Sequence, residues 1–310
     1  MVTGSKSSGS TGSGSKSTGS TGTGSKSSGS TVARRLVKRA GALADRVVPP
    51  PAGVTVLLYH RVGGGTAGEV DLGPRVFERH LEHLVAAHEV LTLDAAADRL
   101  RPAVDDWTPV TPGRHDRGDA PAVVLTFDDG TRDVTDVVVP ALVRHGLPAT
   151  IYVTTRFVDE QTPFPWGAPP TSWAALRDAA STGLVTVGSH THEHGLLDRQ
   201  DTRVTNDDLD RSIDLLAEHL GRRPDHFAYP KARPGSPAAE IAVRRRFRTA
   251  ALAGNRVNRP GRADLHRLRR TPVQRSDGID DFVRKAAGGL RLEGELRMAV
   301  AGIRYRDAER

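Results

Sequence analysis

The sequence predicts a single α/β domain, a (β/α) barrel, preceded by a flexible N-terminal tail. Two observations predict the barrel. Short, nearly continuous apolar segments alternate with helical patterns, which is typical of a parallel sheet covered on both faces. The roughly 260 residues that follow the first fifty also match the usual size of one such barrel. The chain has 310 residues and no cysteine, so histidine and carboxylate side chains must hold any metal ion.

The tail is predicted from composition. After Met1 and Val2, residues up to 30 are only Gly, Ser, Thr and Lys. Such a segment buries too little apolar area to offset its chain entropy, so we expect residues 1–31 to be disordered. The tail lacks the apolar core of a signal peptide, and no apolar run is long enough to span a membrane. A cytoplasmic location is therefore favoured, while a role at the cell envelope stays open.

Residues 32–51 are predicted to form a basic amphipathic helix followed by a proline-rich linker. Apolar residues recur at helical spacing and alternate with Arg and Lys, namely Val32, Leu36, Ala40, Leu43 and Val47. Pro49, Pro50 and Pro51 then end the helix. One interpretation is a helix docked on the following domain. The other is a peripheral contact of residues 32–48 with an anionic membrane surface.

The net charge of +7 does not indicate a nucleic-acid partner. The first fifty residues contain eight basic residues and one acidic residue, and the remaining chain is neutral overall. Nucleic-acid-binding domains normally carry their basic surface on the folded body. We therefore expect no nucleic acid among the partners.

Within residues 52–310, the predicted strands alternate with predicted helices. The predicted strands are Val54–Tyr59, Ala122–Phe127, Ala149–Val153, Leu184–Val187, His226–Tyr229 and Thr249–Leu252. The predicted helices are Pro74–His88, a stretch ending at His145, Ser172–Ser181, and a helix that Gly221 closes. In such a barrel the chemistry lies at the carboxyl ends of the strands, so the residues just past each strand are the candidate site.

Two carboxylates follow the second predicted strand. Asp128 and Asp129 point in different directions at a strand end, so one can bind a metal while the other accepts a proton. Gly130 permits a tight turn. An ordinary turn is the alternative interpretation of this segment.

Three histidines follow the fourth predicted strand. His190 and His194 are four residues apart, which on a helical turn places both imidazoles on one face, as in many zinc sites. If the backbone stays extended, His190 and His192 form a competing ligand pair. A histidine-rich surface turn is the third interpretation.

Together with Phe227-Ala228-Tyr229-Pro230 after the fifth strand, these segments resemble the polysaccharide deacetylases, the NodB-homology or family four carbohydrate esterases. Thr126-Phe127-Asp128-Asp129-Gly130 matches the first family motif, and His190-Thr191-x-x-His194 matches the second. The resemblance covers roughly Val54 to Leu252, and Leu58-Tyr59-His60-Arg61 also looks like the first strand of one branch. It implies a distorted (β/α) barrel that removes acetyl groups from N-acetylated sugars with a divalent metal, usually Zn²⁺.

The resemblance also implies roles for individual residues. It makes Asp128 the general base and the backbone N–H of Lys231 an oxyanion donor. It assigns Tyr229 and Pro230 a role in substrate binding. The implied metal ligands are Asp129, His190 and His194.

The chain departs from the family pattern in two places. Ala228 stands where the third motif often has an arginine that orients the base, and Arg270 is a candidate substitute. The late motif with the general-acid histidine is not evident, and His266 fits it poorly. By resemblance to the branch whose first strand ends in Tyr-His, we assign the acid role to His60. A buried structural histidine is the alternative for His60.

Trp166 lies in a proline-rich insertion after the third strand and is a candidate for stacking on a sugar. The leading hypothesis is a metal-dependent hydrolase of carbon–nitrogen bonds that N-deacetylates a glycan or glycoconjugate. One alternative is hydrolysis of another small amide in the same barrel. The other is a carbohydrate-binding protein that kept the fold without turnover.

Overall fold

A computed structural model of the protein describes residues 26–63, 65–102 and 122–296. It divides into two units, Met1–Leu36 and Val37–Arg310, the second of which contains the barrel. Helix α1 spans Lys26–Val47 and so begins earlier than the predicted Val32. Residues 26–31 belong to this helix despite their Gly/Ser composition. The predicted tail over residues 1–25 lies outside the described residues.

The described part of the chain contains a closed barrel of seven parallel strands, which confirms the predicted (β/α) barrel. The strands follow one another around the barrel in chain order, and the last pairs with the first. They are β1 Val54–Tyr59, β2 Ala122–Phe127, β3 Ala149–Val153, β4 Val185–Ser189, β5 His226–Ala228, β6 Thr249–Ala253 and β7 Leu268–Pro272.

Helices surround this barrel, and the four predicted within residues 52–310 are all present. They are α2 Pro74–Ala87, α3 Leu93–Leu100, α4 Val139–His145, α5 Thr155–Glu160, α6 Trp173–Ser181, α7 Thr202–Leu220, α8 Pro237–Arg246 and α9 Ile279–Ala286. One π-helical turn, Val134–Val138, precedes α4. Gly221 closes α7 in the left-handed conformation, as its position in the sequence predicts. Among the described helices, none has both the length and the apolar character needed to cross a bilayer.

Strand β7 is not predicted from the sequence, because Leu268–Pro272 contains two arginines and a proline rather than an apolar run. The barrel nevertheless needs this strand, since it pairs with both β6 and β1. Arg270 is fully buried on β7. The cost of burying this charge is offset by an ion pair with Asp128.

The core has two layers. Alternate strand residues, among them Val56, Val124 and Leu268, form one buried cluster with Leu93 and Leu100 of α3. The intervening residues pack outward against the helices, and this layer includes Leu57, Phe127, Ile151, Phe77 and Leu142. Because strand side chains alternate in direction, burial on both faces gives the continuous apolar runs seen in the sequence.

From Val37 onward, α1 contacts the rest of the barrel unit through polar side chains. The Lys38 Nζ is buried and lies 2.6 Å from Asp277 Oδ1. Asp45 accepts a hydrogen bond from the Leu290 N–H at 2.6 Å. The docked interpretation of this helix is therefore supported by specific contacts for the residues from Val37 onward.

Candidate active site

Three side chains after β2 and β4 converge at the carboxyl end of the barrel. The Asp129 Oδ1 lies 3.3 Å from the His194 Nε2 and 3.7 Å from the His190 Nε2. One donor atom from each residue lies within 4.8 Å of the other two. The structure thus brings together the three residues expected as metal ligands.

The turn after β2 aims the two carboxylates in different directions. Asp129 and Gly130 both have positive φ values, 74° and 83°, so the chain reverses sharply directly after the strand. A Cβ atom on Gly130 would also lie 3.3 Å from the Val153 side chain. The Asp129 carbonyl accepts a hydrogen bond from the Thr154 N–H, which ties the turn to the end of β3.

The orientation of His190 is fixed by one hydrogen bond. Its Nδ1 lies 2.8 Å from the Ala228 carbonyl oxygen. Because a carbonyl oxygen only accepts, Nδ1 carries the proton and Nε2 presents a lone pair to Asp129. Burial lowers the pKa of His190 to about 4, so the ring is neutral near pH 7.

The segment from His190 to His194 is an irregular loop, not the helical turn that the spacing suggests. Thr191 and His194 have φ values of 69° and 61°, and these two left-handed residues turn His194 back toward Asp129. The Thr191 hydroxyl accepts a hydrogen bond from the His194 N–H at 2.9 Å. Among the described residues, the donor atoms that converge belong to Asp129, His190 and His194, so the competing pair of His190 and His192 is wrong.

Asp208 of α7 is a site residue that the sequence analysis missed. Its Oδ1 accepts hydrogen bonds from the N–H groups of His192 and Glu193, at 3.0 and 2.7 Å. These two residues lie between the candidate ligands His190 and His194. The sequence signal that could have identified it is a carboxylate beside Leu209, a residue of the apolar stripe of α7.

Asp128 is held by Arg270 inside the barrel. The guanidinium makes two hydrogen bonds, 2.5 Å from Nη1 to Oδ1 and 2.8 Å from Nη2 to Oδ2. Arg270 thus binds the carboxylate that the arginine missing at Ala228 was expected to orient. Burial raises the pKa of Asp128, but the positive charge of Arg270 outweighs it and keeps this pKa below its ordinary value.

Two further expected residues lie close to this centre. His60 directly follows β1, and its charge contributes to lowering the pKa values of both Asp128 and Asp129. Trp166 is 43% exposed, and its ring centroid lies 6.0 Å from that of His194. The indole ring of Trp166 therefore lies at the edge of the site.

The side chains of the third motif are not exposed in the way that the sequence suggests. Tyr229 is buried in a cluster with Phe227 and Phe247, so its side chain is not available to a substrate, contrary to our expectation. Pro230 is also buried, whereas Lys231 is exposed and has a φ of 55°. His266 hydrogen-bonds through Nε2 to the Phe247 carbonyl, away from the candidate ligands.

The donor set suits a divalent cation. Two imidazoles and one carboxylate form a typical catalytic zinc triad and leave coordination positions open. Burial raises the pKa of Asp129, but contact with His194 and the charge of His60 lower it well below its usual range. The carboxylate is therefore ionised and ready to bind a cation.

Comparisons with known proteins agree with this geometry. Residues 115–249 match the family model described as polysaccharide deacetylase. The chain is similar to the solved structure of IcaB from Ammonifex degensii, with 25% identity over 77% of this chain and 97% of that one, and a TM-score of 0.64.

Two other solved structures share the fold at lower identity. The deacetylase PplD from Streptococcus pyogenes, in complex with acetate, has 18% identity and a TM-score of 0.63, covering 76% of this chain and 99% of that one. The BpsB deacetylase domain from Bordetella bronchiseptica has 20% identity and a TM-score of 0.55, covering 73% and 98%. No curated protein sequence matches the chain significantly.

Proposed function

We propose that the chain, whose residues 115–249 match the polysaccharide deacetylase model, is a hydrolase of carbon–nitrogen bonds that removes N-acetyl groups from an N-acetylated glycan or glycoconjugate with a divalent metal. One observation carries this proposal. The donor atoms of Asp129, His190 and His194 converge within 4.8 Å of one another, and a second carboxylate, Asp128, lies beside them.

The three ligands would hold the cation, most favourably Zn²⁺ given two imidazoles and one carboxylate. A cation bound there would polarise the carbonyl of the acetamide and lower the pKa of the attacking water. His190 would bind through Nε2, because its Nδ1–H donates a hydrogen bond to the Ala228 carbonyl. Thr191 and Asp208 hold the loop that carries His194.

Asp128 is the proposed general base. Its Oδ2 lies 3.8 Å from the His190 Nε2, so it borders the position that a water would occupy beside the ligands. Arg270 binds both of its oxygens and keeps it ionised at neutral pH. An ionised, oriented carboxylate can take the proton of the water as the acetamide carbon is attacked.

The leaving sugar amine must gain a proton, and His60 is the proposed donor. It follows β1 at the same end of the barrel as the two aspartates. We assign the backbone N–H of Lys231 to the developing oxyanion, by the match to the third motif. Trp166, beside His194, is the proposed surface for one face of the sugar ring.

The test measures bound metal and acetate release from N-acetylglucosamine oligomers, with N-acetylated amino acids as a second substrate class. We expect acetate from the oligomers, loss of release when a chelator removes the metal, and recovery when Zn²⁺ is returned. Release from the amino acids alone would assign the site to another small amide. Metal binding and oligomer binding without any release would contradict the enzymatic assignment.

A further inference from the structure

The outward side of α1 is apolar, whereas its inward side is polar. Lys38 is buried and Asp45 is half-buried, both against the barrel unit. On the opposite side, Leu43 and Val47 are 62% and 77% exposed, and Val48 just beyond the helix is 58% exposed. A surface helix normally buries its apolar stripe against the core. Helix α1 instead exposes its apolar side to solvent.

Specific contacts hold α1 in this orientation. The Lys38 Nζ lies 2.6 Å from Asp277 Oδ1 and 3.2 Å from Asp281 Oδ2. Asp45 accepts the Leu290 N–H and lies 3.5 Å from the Arg291 Nε. Rotating α1 to bury Leu43 would separate these charges from their partners. The apolar side therefore stays outward.

A groove of about 540 Å³ borders the end of α1, and its lining has three arginines, one of them Arg291, against the acidic residues Asp45 and Glu295. Its lining includes Ala44 and Val48 of the α1 region, Arg256 and Arg259 of the segment after β6, and Leu292. Leu292 is 42% exposed. Arg259 is exposed and forms no ion pair with a described residue, whereas Arg256 pairs with Glu295.

Positive charge extends on both sides of this groove. A second groove of about 270 Å³ shares Arg256 and Arg259 and continues past Arg262. On α1 itself, Arg39 and Arg46 are exposed and seven residues apart, so they flank the same edge of the apolar stripe. Although residues 51–310 are neutral overall, cationic groups are concentrated here around exposed apolar side chains.

We propose that this basic apolar face, formed by Leu43, Arg46, Val47, Val48, Arg259 and Leu292, binds the surface of an anionic phospholipid bilayer. Exposed aliphatic side chains can enter the headgroup region while guanidinium groups pair with lipid phosphates. A second copy of the chain is disfavoured, because a two-fold contact would bring two copies of the same net positive face together.

The proposed contact leaves the candidate active site accessible. Pro51 and Val257, which line the groove, lie near the amino end of β1, since Gly53 beside Val54 approaches Val257 closely. The metal ligands lie at the opposite, carboxyl end of the strands. A chain bound to lipid through this face can therefore still admit a glycan, and the inference does not depend on the proposed reaction.

The test is co-sedimentation of the full chain with vesicles of phosphatidylcholine alone or mixed with phosphatidylglycerol. We expect binding only to the mixed vesicles, weakened by high salt. Leu43→Gln with Val47→Gln should weaken it by about tenfold or more. Arg46→Gln with Arg259→Gln should weaken it by about thirtyfold. These side chains are exposed, so thermal melting should show that both variants fold like wild type.

Val204→Gln with Ile241→Gln is the matched control, since these exposed aliphatic residues lie on α7 and α8. Its vesicle binding should equal that of wild type. Absent binding, equal binding to neutral vesicles, or equal loss in the control would overturn the proposal.

Two other results would assign the face to a different occupant and would also overturn the proposal. One is a dimer in sedimentation equilibrium that Leu43→Gln with Val47→Gln dissociates. The other is a chain ending at residue 296 that binds mixed vesicles when the full chain does not, which would mean that residues 297–310 cover the face.

Discussion

Arg270 binds both carboxylate oxygens of Asp128, although 142 residues separate the two in the chain. Both side chains are buried, and the guanidinium also lies 3.3 Å from the Thr126 hydroxyl. The proposed base is therefore held from inside the barrel, by a strand on the far side of β1. Because Arg270 lies on β7, the ionisation and the orientation of the Asp128 carboxylate both depend on closure of the barrel.

Replacing Asp128 by Asn should remove turnover and keep the metal. The amide has a similar shape but cannot accept the proton of water, so we expect acetate release to fall by about 10²- to 10⁴-fold. Metal content, measured by mass spectrometry of the dialysed protein, should stay at the wild-type level. His190→Ala is the contrasting variant and should lose both metal and turnover. Equal metal loss in the two variants would contradict the separation of ligand and base.

Arg270 should contribute to both stability and turnover. Arg270→Met leaves the Asp128 carboxylate buried without its partner, so we expect the free energy of unfolding to fall by about 3–5 kcal/mol. Arg270→Lys keeps the charge but not the two-point contact, so acetate release should fall by about a hundredfold through misdirection of the base. Denaturant titration and acetate assays measure the two effects. Unchanged turnover in Arg270→Lys would show that the contact does not position the base.

Asp208 should support metal affinity without touching the metal. Asp208→Ala frees the N–H groups of His192 and Glu193, so we expect metal affinity to weaken by about 10- to 100-fold. Asp208→Asn keeps an oxygen acceptor at this position and should weaken it much less. Asp207→Ala, an exposed neighbour on α7, is the control. Competition with a chromophoric chelator measures the affinity, and identical values for Asp208→Ala and Asp207→Ala would contradict the role.

His80 should make stability depend on pH. Burial lowers the pKa of His80 to about 4, against 6.5 as the ordinary value. Between these values the unfolded chain binds more protons than the folded one, so stability is lost as the pH falls from about 6.5 toward 4. Between pH 7 and pH 5 this group should cost about 2 kcal/mol of unfolding free energy.

His80→Gln should show a pH dependence smaller by that amount, measured by urea unfolding at the two pH values. Tyr59 lies 3.3 Å from the His80 Nδ1 through its hydroxyl, so the variant is expected to be less stable than wild type at pH 7. The difference between the two proteins should therefore shrink at pH 5. A constant difference at both pH values would contradict the prediction.

Part of the candidate site was predictable because it is local in sequence. Asp128 and Asp129 directly follow an apolar run, and His190 and His194 follow another. The predicted strand ends were therefore enough to identify these four residues as candidates. Arg270 entered only as a substitute suggested by the resemblance, since no local pattern links it to Asp128. Asp208 and the burial of Tyr229 were missed, because both depend on how α7 packs against the sheet.

By itself, the sequence determined the α/β alternation, the barrel and the order of the motifs. These follow from apolar periodicity, which is a local property of the sequence and reflects which faces of each element are buried. Only the tertiary structure decided that β7 closes the barrel through a buried arginine, that His194 rather than His192 faces Asp129, and that α1 shows its apolar side to solvent. Such features arise from backbone turns and long-range charge pairing, which bring together residues that no local pattern connects.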